Sequence, residues 1–234
     1  MLYLIGLGLN EKGYSKEAHE IISKADKVYV DTYTIEFPYD FSQLTSGFKG
    51  KKFIPAGREF VEGMNFLNEA KQTDIVLLVY GSPLVATTHT AIIKEAVQKK
   101  IKIKIVHAGS ILDAVAETGL QPYKFGKTTS LPNFPAESYL DVVKENKKAK
   151  AHTLILVDIG MKFSEALRKL EEDSKKKKIK AEKMLVCSRL GLEDSKIFYD
   201  SISKLRSKQI RAPFCFIIPG DLHFFEKEFL ENFN

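Results

Sequence analysis

Ile75-Val76-Leu77-Leu78-Val79-Tyr80-Gly81-Ser82-Pro83-Leu84-Val85-Ala86-Thr87-Thr88-His89-Thr90 is the stretch on which the fold turns. Its apolar run shows no polar alternation, as expected of a strand covered on both faces inside a parallel sheet. Gly81, Ser82 and Pro83 stop the strand, and Thr87-Thr88 then offer N-caps to a helix predicted over residues 88–99. In open α/β sheets ligands bind beyond the carboxyl ends of the strands, so this loop is a candidate site. Taken alone it also reads as a helix-capping turn, with His89 an ordinary polar residue.

Working outward, residues 2–7 read as a strand, 15–25 as a helix, 27–31 as a strand, 58–71 as a helix, 75–80 as a strand and 101–106 as a strand. Strands alternating with helices predict parallel βαβ units with right-handed crossovers. Ser15, placed ahead of Ala18, Ile21, Ile22 and Ala25, has N-cap and helical spacing. Residues 119–135 hold Pro122, Gly126, Pro132 and Pro135, which on composition alone reads as a linker. Beyond it the pattern predicts helices over 139–148, 163–172 and 201–208, a last helix from Leu222, and strands over 153–158, 184–188, 196–199 and 214–218. These shorter, denser strands suit a mixed sheet. The Lys175–Lys178 run reads as a solvated loop. The expected class is α/β with two α/β domains, the first a mostly parallel sheet with helices on both faces, the second a mixed sheet.

Composition narrows the function classes. The 234 residues carry 36 Lys+Arg against 30 Asp+Glu, a net charge of +6. Of those cations 31 are Lys and five are Arg. Phosphate and guanine readers favour the planar guanidinium fork, so this excess reads as a solvated Lys surface rather than a nucleic-acid face. No apolar stretch reaches the roughly 20 residues of a membrane helix. The apolar N-terminus lacks a basic flank and reads as a first strand rather than a signal peptide. Cys187 and Cys215 lie inside apolar runs without metal-ligand spacing, so no metal site is expected and a reducing cytoplasm is the expected location.

Two more strand ends resemble the first. Ile5-Gly6-Leu7-Gly8-Leu9 places glycines where a backbone turns close to a ligand, and His107-Ala108-Gly109-Ser110-Ile111 is a strand running into a small-residue turn. A dinucleotide fingerprint needs a third glycine where Glu11 stands, although Asp31 imitates its ribose-binding acid. None of the three loops brings an Arg or Lys, so phosphate is poorly served. A ligand with an apolar ring, a zwitterionic end and little net negative charge fits better, and S-adenosylmethionine is one.

Gly6-Leu7-Gly8-Leu9, Gly81 to His89, and His107 to Ile111 together resemble the diphthine synthase family of tetrapyrrole-methylase-like (class III) methyltransferases. Thr118-Gly119-Leu120, Tyr123-Lys124-Phe125-Gly126-Lys127, Val143-Lys144-Glu145-Asn146, His152-Thr153-Leu154, Asp158-Ile159 and Pro219-Gly220-Asp221-Leu222-His223 extend the likeness over nearly the whole chain. The resemblance implies two α/β domains, residues 1–110 and 111–234, with S-adenosylmethionine in the cleft between them, and a homodimer. It implies methyl transfer to the amino group of a 3-amino-3-carboxypropyl side chain on a histidine of translation elongation factor 2, giving diphthine. The family's cofactor contacts fall on Leu9, Ser82, Val85, Ser110, Ile111, Val157, Leu190 and Phe214. The family usually has Gly-Asp-Pro where this chain has Gly81-Ser82-Pro83, which keeps a hydroxyl but loses a charge. The segment from Leu131 to Glu137 is also short for the family.

Displacement at a sulfonium needs alignment and an unprotonated amine more than a dedicated base, so no catalytic base is assigned. Asp158, Tyr123 and His107 are candidates for orienting the substrate. Two other functions compete: a nicotinamide-dependent oxidoreductase using Gly6, Gly8 and Asp31, and a basic RNA- or ribosome-binding module using the Lys runs.

Overall fold

The five residues Ile75–Val79 are each buried, as the unbroken apolar run requires. They belong to a computed structural model that describes residues 1–48, 50–179 and 182–233. The chain divides into two compact units, Met1–Ile111 and Leu112–Asn234.

The first unit runs β1 (Leu2–Gly6), α1 (Lys16–Lys24), β2 (Lys27–Asp31), α2 (Phe41–Thr45), β3 (Phe53–Ala56), α3 (Arg58–Gly63), α4 (Phe66–Glu69), β4 (Ile75–Val79), α5 (Thr90–Gln98) and β5 (Ile103–Val106). Its five strands are ordered β3-β2-β4-β1-β5, and every pairing is parallel. Ile75, Leu77 and Val79 pack into one core cluster with Ile92 and Ala96 of α5, whereas Val76 and Leu78 pack into another with Ala18 and Ile22 of α1. The period of two thus sends alternate side chains to opposite faces, each covered by a helix. At about 1.5–3 kcal/mol for each fully buried aliphatic side chain, β4 is the main hydrophobic anchor of the sheet.

Helix α1 begins as its sequence predicts, with Ser15 Oγ accepting the Ala18 N–H at 3.1 Å. Three readings of this unit are corrected. The helix expected over 58–71 is broken at Met64, which turns left-handed (φ 52°) and separates α3 from α4. Strand β3 was not expected, because Pro55 interrupts its pattern; as an edge strand it tolerates the missing donor. Helix α5 starts at Thr90 with His89 at its N-cap and no side-chain cap, so the Thr pair does not cap it.

Past α6 (Ile111–Ala114), the second unit comprises β6 (Thr129–Leu131), α7 (Tyr139–Lys148), β7 (Thr153–Val157), α8 (Phe163–Lys176), β8 (Met184–Ser188), β9 (Lys196–Asp200), α9 (Ile202–Leu205), β10 (Phe214–Ile218) and α10 (Phe224–Leu230). The sheet order is β6-β7-β10-β8-β9, with β6 parallel to β7 and the other pairs antiparallel, hence mixed. The stretch read as a linker is instead part of this unit: β6 pairs Thr129 to Leu131 with Ile155 to Val157. Lys175 and Lys176 close α8 rather than forming a loop, with Lys175 bonded to Glu171 at 2.8 Å, Lys176 to Glu137 at 3.3 Å and Lys177 to Asp141 at 3.0 Å. The free thiols Cys187 and Cys215 face each other across β8 and β10.

A buried carboxylate ties this unit's ends together. Glu226 of α10 is unexposed and accepts from Gln121 N–H (2.9 Å), Lys124 Nζ (2.5 Å), His223 N–H (2.7 Å) and His152 Nε2 (3.0 Å). His152 Nδ1 in turn accepts the Gly220 N–H at 2.9 Å, which fixes the neutral tautomer with its proton on Nε2. Burial opposes the charge on Glu226, yet the Gln121, Lys124, His223 and His152 donors outweigh it and hold the carboxyl at about 2. Among the described residues no helix is long and apolar enough to cross a membrane.

Candidate functional site

The loops that follow β1, β4 and β5 meet at one edge of the parallel sheet. Gly8 and Gly81 form a bridge through two backbone hydrogen bonds, and a Cβ placed on Gly6 lies 2.6 Å from Gly81 O, 2.8 Å from Pro83 Cδ and 2.9 Å from Ala108 Cβ. Gly6 is therefore the point where all three loops touch, and only a residue without a side chain lets them. Gly8 has φ +70°, but its closest approach is to Gly13 O at 2.6 Å rather than to open space, so it shapes its own loop. By contrast a Cβ on Gly109 meets nothing within 4 Å, and one on Gly81 meets only Gly109 O at 4.0 Å.

The second loop is strained as well as tight. Gly81, Leu84 and Ala86 all have positive φ, at 73°, 70° and 54°. Two of these are residues with a Cβ, at roughly 1–3 kcal/mol each, a pattern found where surrounding structure fixes a working conformation. Ser82 and Ser110 are nearly buried, at 6% and 3% exposure, whereas His107 is exposed. Ser82 Oγ lies 3.3 Å from His107 Nδ1 and 3.5 Å from the Ala108 N–H, linking the second loop to the third. The structure thus brings Ser82, Val85, Ser110 and Ile111 to the same edge as Leu9, whose carbonyl accepts from Tyr80 Oη at 2.9 Å.

Asp31 is corrected. Its side chain is unexposed, with Oδ1 accepting from Tyr33 N–H (2.7 Å) and Thr34 N–H (3.1 Å), and Oδ2 from Thr34 Oγ1 (2.6 Å). His89 Nε2 lies 2.9 Å from Oδ2 and is itself unexposed, close enough to pair although its N–H is not aimed along a straight hydrogen bond. Burial works against the Asp31 carboxylate, but His89, Thr34 and Tyr33 outweigh it and lower its pKa. No side of this carboxylate is left for a ribose, and His89 is not an ordinary surface residue.

In the second unit Val157, Leu190 and Phe214 share one end of the mixed sheet. Val157 follows the Leu156↔Cys215 pair, Phe214 faces Ser188, and Leu190 sits on a tight turn between Arg189 (φ 57°) and Gly191 (φ 82°). Arg189 is held there by Asp194 at 2.8 Å and by the Ala212 carbonyl at 3.2 Å. Asp158, next to Val157, accepts the Asn133 N–H at 3.1 Å and so secures the short 131–137 segment. Tyr123 is 98% exposed on a one-turn 3-10 helix.

Residues 1–206 match the family model of the tetrapyrrole (corrin/porphyrin) methylases. The chain belongs to that family. Within it, the diphthine synthase of Methanococcus maripaludis is 37% identical over 99% of this chain and 98% of its own length. The diphthine methyl ester synthase of Dictyostelium discoideum is 34% identical over 100% and 98%. A crystal structure of a diphthine synthase superposes with a TM-score of 0.91 at 32% identity, covering 99% of this chain and 95% of that one. Family membership makes the chain an S-adenosylmethionine-dependent methyltransferase, and these relatives place it among the methyltransferases of diphthamide biosynthesis.

Proposed function

We propose that this tetrapyrrole methylase family member trimethylates the amino group of the 3-amino-3-carboxypropyl side chain borne by a histidine of translation elongation factor 2, yielding diphthine. It acts in the cytoplasm as a homodimer, with S-adenosylmethionine contacted by Leu9, Ser82, Val85, Ser110, Ile111, Val157, Leu190 and Phe214. The observation that carries the reading is the meeting at Gly6 of three strand-end turns, residues 5–9, 81–89 and 107–111, that bring no Arg or Lys, beside full-length likeness to diphthine synthases.

The donor set suits the ligand: main-chain groups and the Ser82 and Ser110 hydroxyls for polar atoms, and Val85, Ile111, Val157, Leu190 and Phe214 for an adenine ring. S-adenosylmethionine, when bound, supplies an electrophilic methyl whose thioether leaves without a proton. The protein's part is alignment, and the strained 81–88 loop presets the main chain for it. A partly dry site also disfavours the ammonium form of the incoming amine, which leaves its lone pair available. Of the orienting candidates, His107 lies nearest the loops, beside Ser82.

Mass spectrometry of elongation factor 2 bearing the unmethylated side chain, after incubation with enzyme and S-adenosylmethionine, tests the reading. Gain of three methyl groups supports it, and no gain overturns it. A second reading adds a methyl ester, as the name of the Dictyostelium relative says of that protein; a fourth methyl, labile to mild base, is its mark. The oxidoreductase alternative loses its acid, since Asp31 is buried and engaged. Against the nucleic-acid alternative, Lys175, Lys176 and Lys177 of one of its Lys runs pair with Glu171, Glu137 and Asp141.

A further inference from the structure

We propose that His89 is a positioning residue for methyl transfer: with Asp31 it pins the far end of the 81–88 loop to the end of β2, presetting the loop for S-adenosylmethionine. The inference rests on the cofactor assignment made above. Its starting point is an unusual pair, a histidine and an aspartate both fully unexposed, 2.9 Å apart, near a strained loop.

Their placement explains what the pair does. Strands β2 and β4 are neighbours, with Val30 opposite Leu78, so Asp31 and the 81–88 loop leave the sheet side by side. Asp31 is held by three hydrogen bonds from Tyr33 and Thr34. His89 in turn starts α5, its carbonyl accepting the Ile92 N–H at 3.0 Å and the Ile93 N–H at 3.3 Å. The near end of the loop is already fixed by the two Gly8–Gly81 hydrogen bonds. Between the two anchors lie Ser82 and Val85, together with left-handed Leu84 and Ala86, whose strain persists only while both ends are held.

Stability alone does not account for the pair. Removing two polar groups from water costs several kcal/mol, and well-packed apolar residues in such places often serve the fold as well. Among the described residues neither His89 Nδ1 nor Nε2 has a hydrogen-bond partner of good geometry, so the imidazole meets Asp31 as a close pair and is not fully satisfied. What the pair supplies over an apolar one is direction: it fixes the helix start against the strand end, and with it the loop.

The test is calorimetric titration of S-adenosylmethionine into wild type, His89→Leu, His89→Gln and His89→Asn, with turnover measured at saturating cofactor. The Gln amide nitrogen reaches the place of imidazole Nε2 and the Asn amide does not. His89→Leu is expected to weaken the cofactor by about tenfold or more while turnover at saturation changes less than about threefold. Gln is expected to recover most of that affinity, and Asn little of it. Native affinity in a folded His89→Leu variant overturns the proposal. Should the Leu variant fail to fold, the Gln and Asn pair decides, and equal affinities for the two overturn it. A wild type that binds no S-adenosylmethionine overturns the cofactor assignment instead.

Discussion

Gly8 donates to the Gly81 carbonyl at 3.0 Å and accepts from the Gly81 N–H at 2.9 Å, so the loops after β1 and β4 are joined as a short antiparallel ladder beyond a parallel sheet. Both residues are left-handed, with φ of 70° and 73°. Paired glycines here let two chains turn away from the sheet while remaining bonded to each other.

Gly8→Val follows from that relationship. A Cβ at this position meets Gly13 O at 2.6 Å in a backbone conformation that β-branched residues avoid. The variant is expected to lose about 2 kcal/mol or more of stability as well as cofactor affinity. Chemical denaturation beside a binding titration checks both; native stability with lost binding would mean that Gly8 faces the ligand.

Ala86→Gly should act the other way on stability. Ala86 is exposed and left-handed (φ 54°), so glycine relieves strain of about 1 kcal/mol. For a chain of 234 residues that raises Tm by about 2–4 °C, while the looser loop binds S-adenosylmethionine more weakly. Differential scanning calorimetry with and without cofactor separates the two effects.

Ser82→Asp restores the charge that the family usually carries. The side chain at 82 lies 3.3 Å from His107 Nδ1 and faces the Ala108 N–H, a donor that suits a carboxylate. Affinity for the cationic cofactor is expected to rise by up to about tenfold at low salt and to fall back as ionic strength screens the added charge. Titrations at two salt concentrations measure it, and weaker binding in a folded variant would place residue 82 away from the ligand.

Glu226 sets the acid limit of the second unit. Its folded pKa of about 2 lies below the ordinary value of 4.5, so its contribution is complete above pH 4.5 and is lost as pH falls toward 2. His152, its pKa lowered chiefly by burial, works in the same direction below its ordinary 6.5, because the unfolded chain takes up that proton more readily. Glu226→Gln is expected to cost about 3 kcal/mol at neutral pH and to flatten the fall in stability between pH 4.5 and 2. Urea denaturation as a function of pH reads both.

The legible part of this fold is what local pattern encodes. The run Ile75–Val79 and the Ser15 cap were readable because burial on two faces and N-capping each leave a signature within a few residues. Strand β3 was hidden by Pro55, and β6 by the prolines and glycines around Thr129 to Leu131, because an edge or three-residue strand is specified by its neighbour rather than by itself. The Asp31–His89 pair and the Glu226 cluster were invisible for a related reason: Gln121 and Glu226 stand 105 residues apart, and polar residues that meet only in three dimensions carry no periodicity. The three candidate loops were legible because a strand ending in small residues is itself a local signal.

The central claim is that these loops hold S-adenosylmethionine. Isothermal titration of the purified protein with S-adenosylmethionine, and in parallel with a nicotinamide dinucleotide, tests it most directly. Micromolar binding of the first and none of the second is predicted. Binding of the dinucleotide without S-adenosylmethionine would contradict the account.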